Sequence, residues 1–267
     1  MKEFGVQLWS VRESFTTVEG TREAFKKLAS FGYTQAQTAG TYDYIAPTEF
    51  RKFADEAGIA IVGTHYNWGK ICDDVAGTIA YHRAIGSDAI GIGGYPVNDM
   101  DSLKAFIRKF NEMADIYHKE GFVLTYHNHS SEFSNLFKKY EGKTEYDYLM
   151  EEFNPETTAF VLDSYWAHTA GIDLQDLIPK LKGRLNMVHL KDCEANVFYT
   201  LEDGRKIHVP ERIEVGSGNM NFPGIIKAAE AAGCKYFVVE DEVYSTGVPM
   251  ESVEKSAAYI KAHLLEK

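Results

Sequence analysis

The 267-residue sequence predicts an α/β fold, a single (β/α)₈ TIM barrel over residues 1–267. Three observations support this prediction: eight short β-prone runs, amphipathic stretches between them, and glycines where those stretches end. A length near 250 residues is typical of one such barrel, whereas an open doubly wound sheet usually has fewer strands. No low-complexity segment or Pro/Gly/Ser-rich linker divides the chain, so we expect one domain.

The predicted strands are rich in β-branched and aromatic residues, which favour extended backbone. In chain order they cover residues 4–9, 34–38, 60–64, 89–92, 122–127, 158–163, 187–191 and 236–240. The segments between them place apolar residues at helical spacing, most clearly from Leu103 to Ile116. Strands separated by helices are expected to be parallel, because parallel neighbours need a crossover connection.

Glycines mark the ends of four predicted helices, because the residue after a helix often needs a positive φ. They are Gly32, Gly58, Gly121 and Gly233. Three histidines inside predicted helices are expected at the surface: His82, His118 and His263.

Two connections are long, at residues 130–143 after the fifth strand and 193–221 after the seventh. Connections longer than about 12–15 residues are commonly functional. In a barrel both would lie at the C-terminal ends of the strands, where active sites are built. The second contains Asp203-Gly204 between β-prone residues and predicts a hairpin, which we interpret as a lid or a partner contact.

The charge balance argues against a polyanionic partner. Lys and Arg number 28 against 39 Asp and Glu, a net charge of −11, so we expect no nucleic-acid partner. The cysteines Cys72, Cys193 and Cys234 are few and widely separated, which fits a reducing cytoplasm better than a disulfide scaffold. The N-terminus does not resemble a signal peptide, and no apolar run approaches the ~18 residues of a membrane span. We therefore expect a cytoplasmic protein with no membrane association.

Histidine or carboxylate residues stand at the C-terminal ends of four consecutive predicted strands. His127 ends the fifth strand and His129 follows it, Asp163 ends the sixth, His189 lies in the seventh and Glu240 ends the eighth. A buried carboxylate without a partner is costly, so four such strand ends favour a shared ligand. Mixed carboxylate and imidazole donors suit Mn²⁺, Fe²⁺, Co²⁺ or Zn²⁺, with Mg²⁺ less natural. The sequence predicts one divalent metal ion bound by Asp163, His189 and Glu240, with Mn²⁺ as the first choice.

Three further residues are candidates for binding a substrate. Trp9 and Trp166 lie at the ends of the first and sixth strands, where flat aromatic faces would suit a sugar ring, although plain packing explains them as well. His65, after the third strand, is a weaker candidate whose alternative is a hydrogen-bonded structural role.

With these residues in view, the chain resembles the xylose isomerase-like TIM barrel family of sugar isomerases and epimerases along its whole length. The resemblance rests on the order and spacing of short fragments: GVQLWSVR at 5–12, YHNHSSEF at 126–133, LDSYW at 162–166, HLKD at 189–192, VGSG at 215–218 and VE at 239–240. It implies one divalent metal held by Glu, Asp, His and Glu from strands five to eight. The last three map onto Asp163, His189 and Glu240.

The fifth strand departs from this pattern, since His127-Asn128-His129 stands where many members have Glu-Asn-His. We expect Glu132 to supply the fourth ligand and His127 or His129 to act as the base; alternatively, His127 itself is the ligand. Two other positions also differ from many members. Gln37 replaces a Glu after strand two, and Trp166 replaces a His after strand six.

The resemblance implies proton removal next to a carbonyl through a metal-stabilised enediolate. Lys191 could stabilise the developing oxyanion, or instead form a salt bridge with Asp192 or Asp163. Asn128 and Arg212 are candidates for holding substrate hydroxyls. We therefore expect a metal-dependent sugar isomerase or epimerase in carbohydrate metabolism that acts on a nonphosphorylated sugar or keto-sugar.

The alternative is a lyase on 3-keto sugars, because the same enediolate can expel a β-substituent. Relatives of this kind include inosose dehydratase and the catalytic subunits of C-glycoside deglycosidases, beside the keto-sugar epimerases. A DNA-repair endonuclease shares the barrel, but the negative charge opposes that activity. A noncatalytic sugar-binding role stays open, as do a homo-oligomer and a small partner subunit.

Overall fold

The computed structural model describes residues 1–133, 142–242 and 247–266, apart from the side chain of Asn196. Within these residues eight parallel strands form one sheet and two antiparallel strands form another. The barrel strands are β1 (Gly5–Gln7), β2 (Gln35–Ala39), β3 (Ala60–His65), β4 (Ala89–Ile92), β5 (Val123–His127), β6 (Thr158–Asp163), β7 (Leu185–Leu190) and β10 (Tyr236–Val239). The second sheet comprises β8 (Asp192–Thr200) and β9 (Lys206–Ile213).

The parallel sheet curls into a nearly closed barrel. Its strand order is β3-β2-β1-β10-β7-β6-β5-β4, so β3 and β4 are the two ends. The backbone N–H of Tyr66, just after β3, donates to the carbonyl of Gly91 in β4 at 2.6 Å. A β-carbon at Gly91 would lie 2.2 Å from the Thr64 carbonyl oxygen, so only glycine allows the two ends to approach this closely. The (β/α)₈ prediction is confirmed.

Helices cover the outside of the barrel. They are α1 (Val18–Phe31), α2 (Pro47–Glu56), α3 (Trp68–Asp73), α4 (Val75–Ile85), α5 (Met100–Lys119), α6 (Glu145–Glu152), α7 (Ser164–Thr169), α8 (Leu174–Leu177), α9 (Phe222–Ala231) and α10 (Pro249–His263). Among the described residues, short 3₁₀ segments lie at Leu8–Ser14, Ser131–Phe133 and Ile178–Leu181. No helix in the described part of the chain is long and apolar enough to cross a membrane.

The core has two parts, which together place the site. A large cluster fills the space between the strands and the helices, and a small one inside the barrel contains Val62, Val161, Met187 and Val238. These four side chains come from β3, β6, β7 and β10 and fill the barrel interior. Polar side chains at the C-terminal ends of the strands therefore lie above a packed apolar layer.

The sequence-based expectations for three local segments have different outcomes. The first strand ends at Gln7, and Trp9 lies in the 3₁₀ segment that follows. The segment 193–221 is largely the antiparallel β8–β9 hairpin, which turns at the expected Asp203-Gly204. Most of the other long connection, 130–143, lies outside the described residues.

Candidate metal centre

Four buried side chains converge at the C-terminal ends of neighbouring strands. His127 ends β5, Asp163 ends β6, His189 lies in β7 and Glu240 follows β10. One ligand atom from each lies within 4.8 Å of the others. We call these four residues the ligand group. Consecutive parallel strands place their ends side by side, which explains how residues more than 100 positions apart meet here.

The distances within the ligand group are those of donors that face a common centre. Glu240 Oε2 lies 2.9 Å from His189 Nδ1 and 3.8 Å from His127 Nε2. Asp163 Oδ2 lies 3.5 Å from His127 Nε2 and 3.7 Å from His189 Nδ1. The other Asp163 oxygen, Oδ1, accepts the Trp166 N–H at 2.8 Å and caps α7. Each carboxylate therefore directs one oxygen toward the two imidazole rings.

The ligand group fits a divalent cation. Asp163 Oδ2 and both ring nitrogens of His127 are buried and have no hydrogen-bond partner among the described residues. Leaving such atoms unpaired costs free energy that coordination of a cation would recover. Two carboxylates and two imidazoles suit Mn²⁺, Fe²⁺, Co²⁺ or Zn²⁺. The buried His/Asp/Glu group could therefore hold a metal ion.

Glu132, the expected fourth ligand, does not lie in the ligand group. Its Oε1 accepts the hydroxyl of Tyr126 at 3.0 Å. Its Oε2 accepts the His129 N–H at 3.0 Å and the Ser131 hydroxyl at 2.8 Å. These bonds hold the carboxylate within its own turn, and His127 is the fifth-strand residue that lies in the ligand group.

Lys191 lies beside the ligand group and is buried. Its Nζ is 3.5 Å from Glu240 Oε2 and 3.8 Å from Asp163 Oδ2, and it also forms a short ion pair with Glu242. Asp163 is one of the two salt-bridge partners expected for Lys191. The other, Asp192, instead accepts backbone N–H groups from residues 193–220.

A cavity of about 220 Å³ opens over the ligand group. Its wall is lined by Trp9, His65, Gly93, His127, His129, Trp166, Lys191, Glu240 and Glu242. Trp9 is 43% exposed, and its indole N–H donates to Glu242 at 3.1 Å. The His129 ring packs against Trp166 with centroids 5.5 Å apart. The structure thus brings both tryptophans, His65 and His129 to one pocket.

Two expected substrate contacts have other partners. Asn128 is buried; its Oδ1 accepts the Asp163 N–H at 3.0 Å, so it braces a strand end and does not line the cavity. Arg212 pairs with Glu242 at 2.8 Å and lies over the Trp166 ring at 5.5 Å, beside the cavity mouth.

Burial and charge set the protonation states around the ligand group. Burial alone would raise the pKa values of Asp163 and Glu240, but the positive charge of Lys191 holds both below their usual range. Burial would lower the pKa of His189, yet the charge of Glu240 and the hydrogen bonds of the ring with Asp163 and Glu240 raise that pKa to about 9. Burial lowers the pKa of His127. Two ionised carboxylates thus face the neutral ring of His127 and the ring of His189, which takes up a proton readily.

Three polar residues at the site received no functional role from the sequence: Gln7, Gln37 and Glu242. Gln7 and Gln37 are buried, and Gln37 Oε1 lies 2.6 Å from His189 Nε2. The signal that could have found Gln7 is a polar residue after apolar ones in a short barrel strand, whereas β2 contains several polar residues and gives no such signal for Gln37. Glu242 follows Glu240 by two residues, and only the fold shows that it links Trp9, Lys191 and Arg212.

A larger cavity of about 430 Å³ lies away from the ligand group, beside α8 and α9. Its lining has His168 and Asp173 as titratable residues, with amide and apolar side chains around them. It offers no cluster of ligand or base residues among those described, so the smaller cavity is the better candidate site.

Comparison with known proteins identifies relatives of this chain. An inosose dehydratase from Geobacillus thermodenitrificans (strain NG80-2) is 26% identical over 174 residues, which cover 62% of this chain and 56% of that protein. The chain thus spans little more than half the length of this curated relative.

Solved structures match over nearly the full chain. A sugar phosphate isomerase/epimerase from Parabacteroides distasonis ATCC 8503 is 25% identical with a TM-score of 0.79, covering 100% of this chain and 96% of that one. An L-ribulose 3-epimerase, at 14% identity and a TM-score of 0.69, covers 98% and 94% and shares the fold. The sequence pattern of the xylose isomerase-like TIM barrel family matches residues 25–263. This chain therefore belongs to the xylose isomerase-like TIM barrel family.

Proposed function

We propose that this protein is a divalent-metal-dependent sugar isomerase or epimerase that moves a proton next to a substrate carbonyl. The observation that carries the proposal is the buried ligand group of His127, Asp163, His189 and Glu240 beneath a cavity of about 220 Å³. The two tryptophans on the cavity wall offer flat apolar faces of the kind that suit a sugar ring.

We infer that His127, and not Glu132, completes the set of metal ligands. Mn²⁺ is our first choice for the ion, with Zn²⁺, Co²⁺, Fe²⁺ and Mg²⁺ as alternatives. A divalent ion bound here would polarise the substrate carbonyl and stabilise the negative charge that develops as the α-proton leaves.

His129 is then the leading candidate for the base. Its ring lines the cavity beside Trp166 and lies 5.0 Å, centroid to centroid, from the His127 ring. His65 also lines the cavity, and burial together with neighbouring histidines lowers its pKa well below the usual value. An imidazole at the cavity could take the α-proton as a base and, once protonated, return it to the substrate at the neighbouring carbon.

Lys191 is proposed to stabilise the developing oxyanion, because it cannot act as a base. Burial would lower its pKa, but Glu240, Asp163 and Glu242 raise it, so the ammonium stays charged. A fixed positive charge beside the ligand group is well suited to stabilise negative charge that develops in the transition state.

A lyase that expels a β-substituent is the second candidate function. The 26% identity with an inosose dehydratase favours it, and two cavity histidines could serve as base and acid for such an elimination. A small sugar or keto-sugar is the proposed substrate in either case.

The first test is the metal content of the purified protein beside Asp163→Asn and Asp173→Asn. Both aspartates cap a helix through Oδ1, of α7 and α8 respectively, but only Asp163 belongs to the ligand group. We expect near-stoichiometric metal in the wild type and in Asp173→Asn, with loss in Asp163→Asn. A wild type that binds neither Mn²⁺ nor Zn²⁺ when supplied would refute the proposal.

The second test separates the two reactions. The metal-loaded protein is incubated in D₂O with a panel of ketoses and 3-keto sugars and followed by proton NMR and mass spectrometry. Deuterium at the carbon next to the carbonyl without loss of mass supports isomerisation or epimerisation. Loss of water or of an aglycone supports the lyase, and binding without any exchange would reject both reactions.

A further inference from the structure

A chain of two buried glutamine side chains runs from the backbone of Trp9 to the ring of His189. The Trp9 N–H donates to Gln7 Oε1 at 3.1 Å. Gln7 Nε2 donates to Gln37 Oε1 at 2.9 Å, and that same oxygen lies 2.6 Å from His189 Nε2. Gln7 and Gln37 are 0% and 1% exposed, so water does not substitute for these bonds.

The direction of each bond follows from its first donor. A backbone N–H can only donate, so Gln7 must turn its oxygen toward Trp9 and its NH₂ group toward Gln37. Gln37 must then present its oxygen, which is the only acceptor on its side chain. An acceptor facing His189 Nε2 requires the ring proton to be on that nitrogen.

The opposite orientation of Gln37 is unfavourable. Turning the amide over would bring its NH₂ group against the NH₂ group of Gln7, a contact between two donors. In the observed orientation Gln37 Nε2 has no hydrogen-bond partner among the described residues. The amide thus leaves its own NH₂ group unpaired while its oxygen serves two donors.

A neutral imidazole that carries its proton on Nε2 has its lone pair on Nδ1. Nδ1 is the His189 atom that faces the ligand group, 2.9 Å from Glu240 Oε2 and 3.7 Å from Asp163 Oδ2. We propose that Gln7 and Gln37 form a relay that fixes the His189 tautomer, so that Nδ1 is the atom offered to a divalent cation. This inference rests on the metal-dependent function proposed above, and it makes both glutamines positioning residues.

Gln7 also lies near a second histidine. Its Nε2 is 3.4 Å from His65 Nδ1, so a change at Gln7 can affect a residue of the cavity wall as well as the ligand group. Metal affinity is for this reason a better readout of the relay than turnover.

The test is a matched pair, Gln37→Glu and Gln7→Glu, with Mn²⁺ affinity measured by calorimetry. Each substitution adds one negative charge at nearly constant volume, so a purely electrostatic effect would tighten Mn²⁺ binding in both. A carboxylate at position 37 still accepts from Gln7 and His189, and we expect wild-type or tighter affinity. A carboxylate at position 7 can only accept, so the Gln37 amide would turn its NH₂ group toward that carboxylate and toward His189 Nε2. The proton of the His189 ring would then have to be on Nδ1. We expect Mn²⁺ binding in Gln7→Glu to weaken about 10- to 100-fold.

Two further measurements complete the test. A buried carboxyl at position 7 could take up a proton and then act as a donor, as glutamine does. Gln7→Met covers this case, because it removes the donor without adding a charge. We expect Gln7→Met to weaken Mn²⁺ binding several-fold. In the Zn²⁺-loaded wild type, ¹⁵N NMR of the His189 ring should show a proton on Nε2 and none on Nδ1. Wild-type affinity in both Gln7 variants, or a proton on Nδ1 in the Zn²⁺ form, would overturn the relay. Absence of metal binding by the wild type would instead overturn the proposed function itself.

Discussion

Nε2 of His127 lies 3.5 Å from Oδ2 of Asp163, and neither atom has a hydrogen-bond partner among the described residues. Both are buried, so each lost its water on folding without gaining a hydrogen bond. We therefore predict that His127→Ala weakens Mn²⁺ binding by at least the 10- to 100-fold typical of changes next to a metal ligand. Calorimetric titration of the folded variant measures this directly.

Glu132→Gln is the matched comparison. A glutamine at this position can still accept the His129 N–H and can donate to the Tyr126 hydroxyl, so the turn should keep its geometry. We expect its Mn²⁺ affinity to stay within about threefold of the wild type, as is usual when no ligand or ligand partner changes. The reverse ranking, with metal lost in Glu132→Gln and kept in His127→Ala, would make Glu132 the ligand.

Lys191 is predicted to oppose metal binding while assisting turnover. Its ammonium lies 3.5 Å from Glu240 Oε2 and 3.8 Å from Asp163 Oδ2, close enough to repel a divalent cation held by the same carboxylates. Lys191→Met should therefore bind Mn²⁺ more tightly than the wild type. If the ammonium also stabilises the oxyanion, kcat should fall by about 10²–10³-fold. Weaker Mn²⁺ binding together with unchanged kcat would contradict both roles.

The parts of the site that could be read from the sequence are those fixed by strand order. Asp163, His189 and Glu240 end neighbouring strands of a barrel, and parallel strands bring such ends together whatever the intervening loops do. Glu132 could not be placed in this way. It lies in a 3₁₀ turn beyond the strand, and its direction is decided by hydrogen bonds within that turn, including one to a tyrosine.

His82 shows a second limit of the sequence reading. It was expected at the surface, but it is fully buried, with Nε2 3.0 Å from the Thr64 hydroxyl and Nδ1 2.7 Å from the Thr78 carbonyl. The spacing of Thr78, His82 and Ile85 places all three on the buried face of α4. Polar residues at helical spacing are easily assigned to solvent, because the partners that satisfy them lie on another element.

Asp192 is predicted to hold the base of the hairpin in place. Its buried carboxylate accepts backbone N–H groups of Cys193, Gly216, Gly218 and Met220 at 2.8–3.1 Å. Asparagine has one acceptor oxygen and would lose two of these bonds, each worth about 1.5–3 kcal/mol when the acceptor is charged. We expect Asp192→Asn to lower the free energy of unfolding by about 3 kcal/mol or more, measured by urea denaturation.

The control for Asp192→Asn is Asp203→Asn in the hairpin turn. Asp203 also accepts a backbone N–H, from Arg205, but its side chain is exposed. Surface substitutions of this kind usually change stability by no more than about 0.5 kcal/mol. Similar effects of the two substitutions would mean that the buried carboxylate does not stabilise this segment.

Asp241 should make the protein less stable as the pH rises. It is buried beside Ser256, whose hydroxyl donates to Oδ2 at 2.7 Å, while Oδ1 has no partner among the described residues. Burial, with a further contribution from Glu214, raises the pKa of Asp241 to about 8 in the folded protein. In the unfolded chain an aspartate titrates near 4. Folding therefore takes up a proton between about pH 4 and 8, and the stability contribution of this group is lost across that window as the pH rises.

Asparagine at position 241 cannot ionise, so Asp241→Asn should remove this dependence. We expect the difference in thermal midpoint, variant minus wild type, to be larger at pH 8.5 than at pH 5. A gain of 1 kcal/mol corresponds to about 2–4 °C for a protein of roughly this size. Glu145, whose pKa burial also raises to about 8, contributes a dependence of the same sign to both proteins and cancels in the comparison. A constant difference between variant and wild type at the two pH values would mean that Asp241 is ionised throughout.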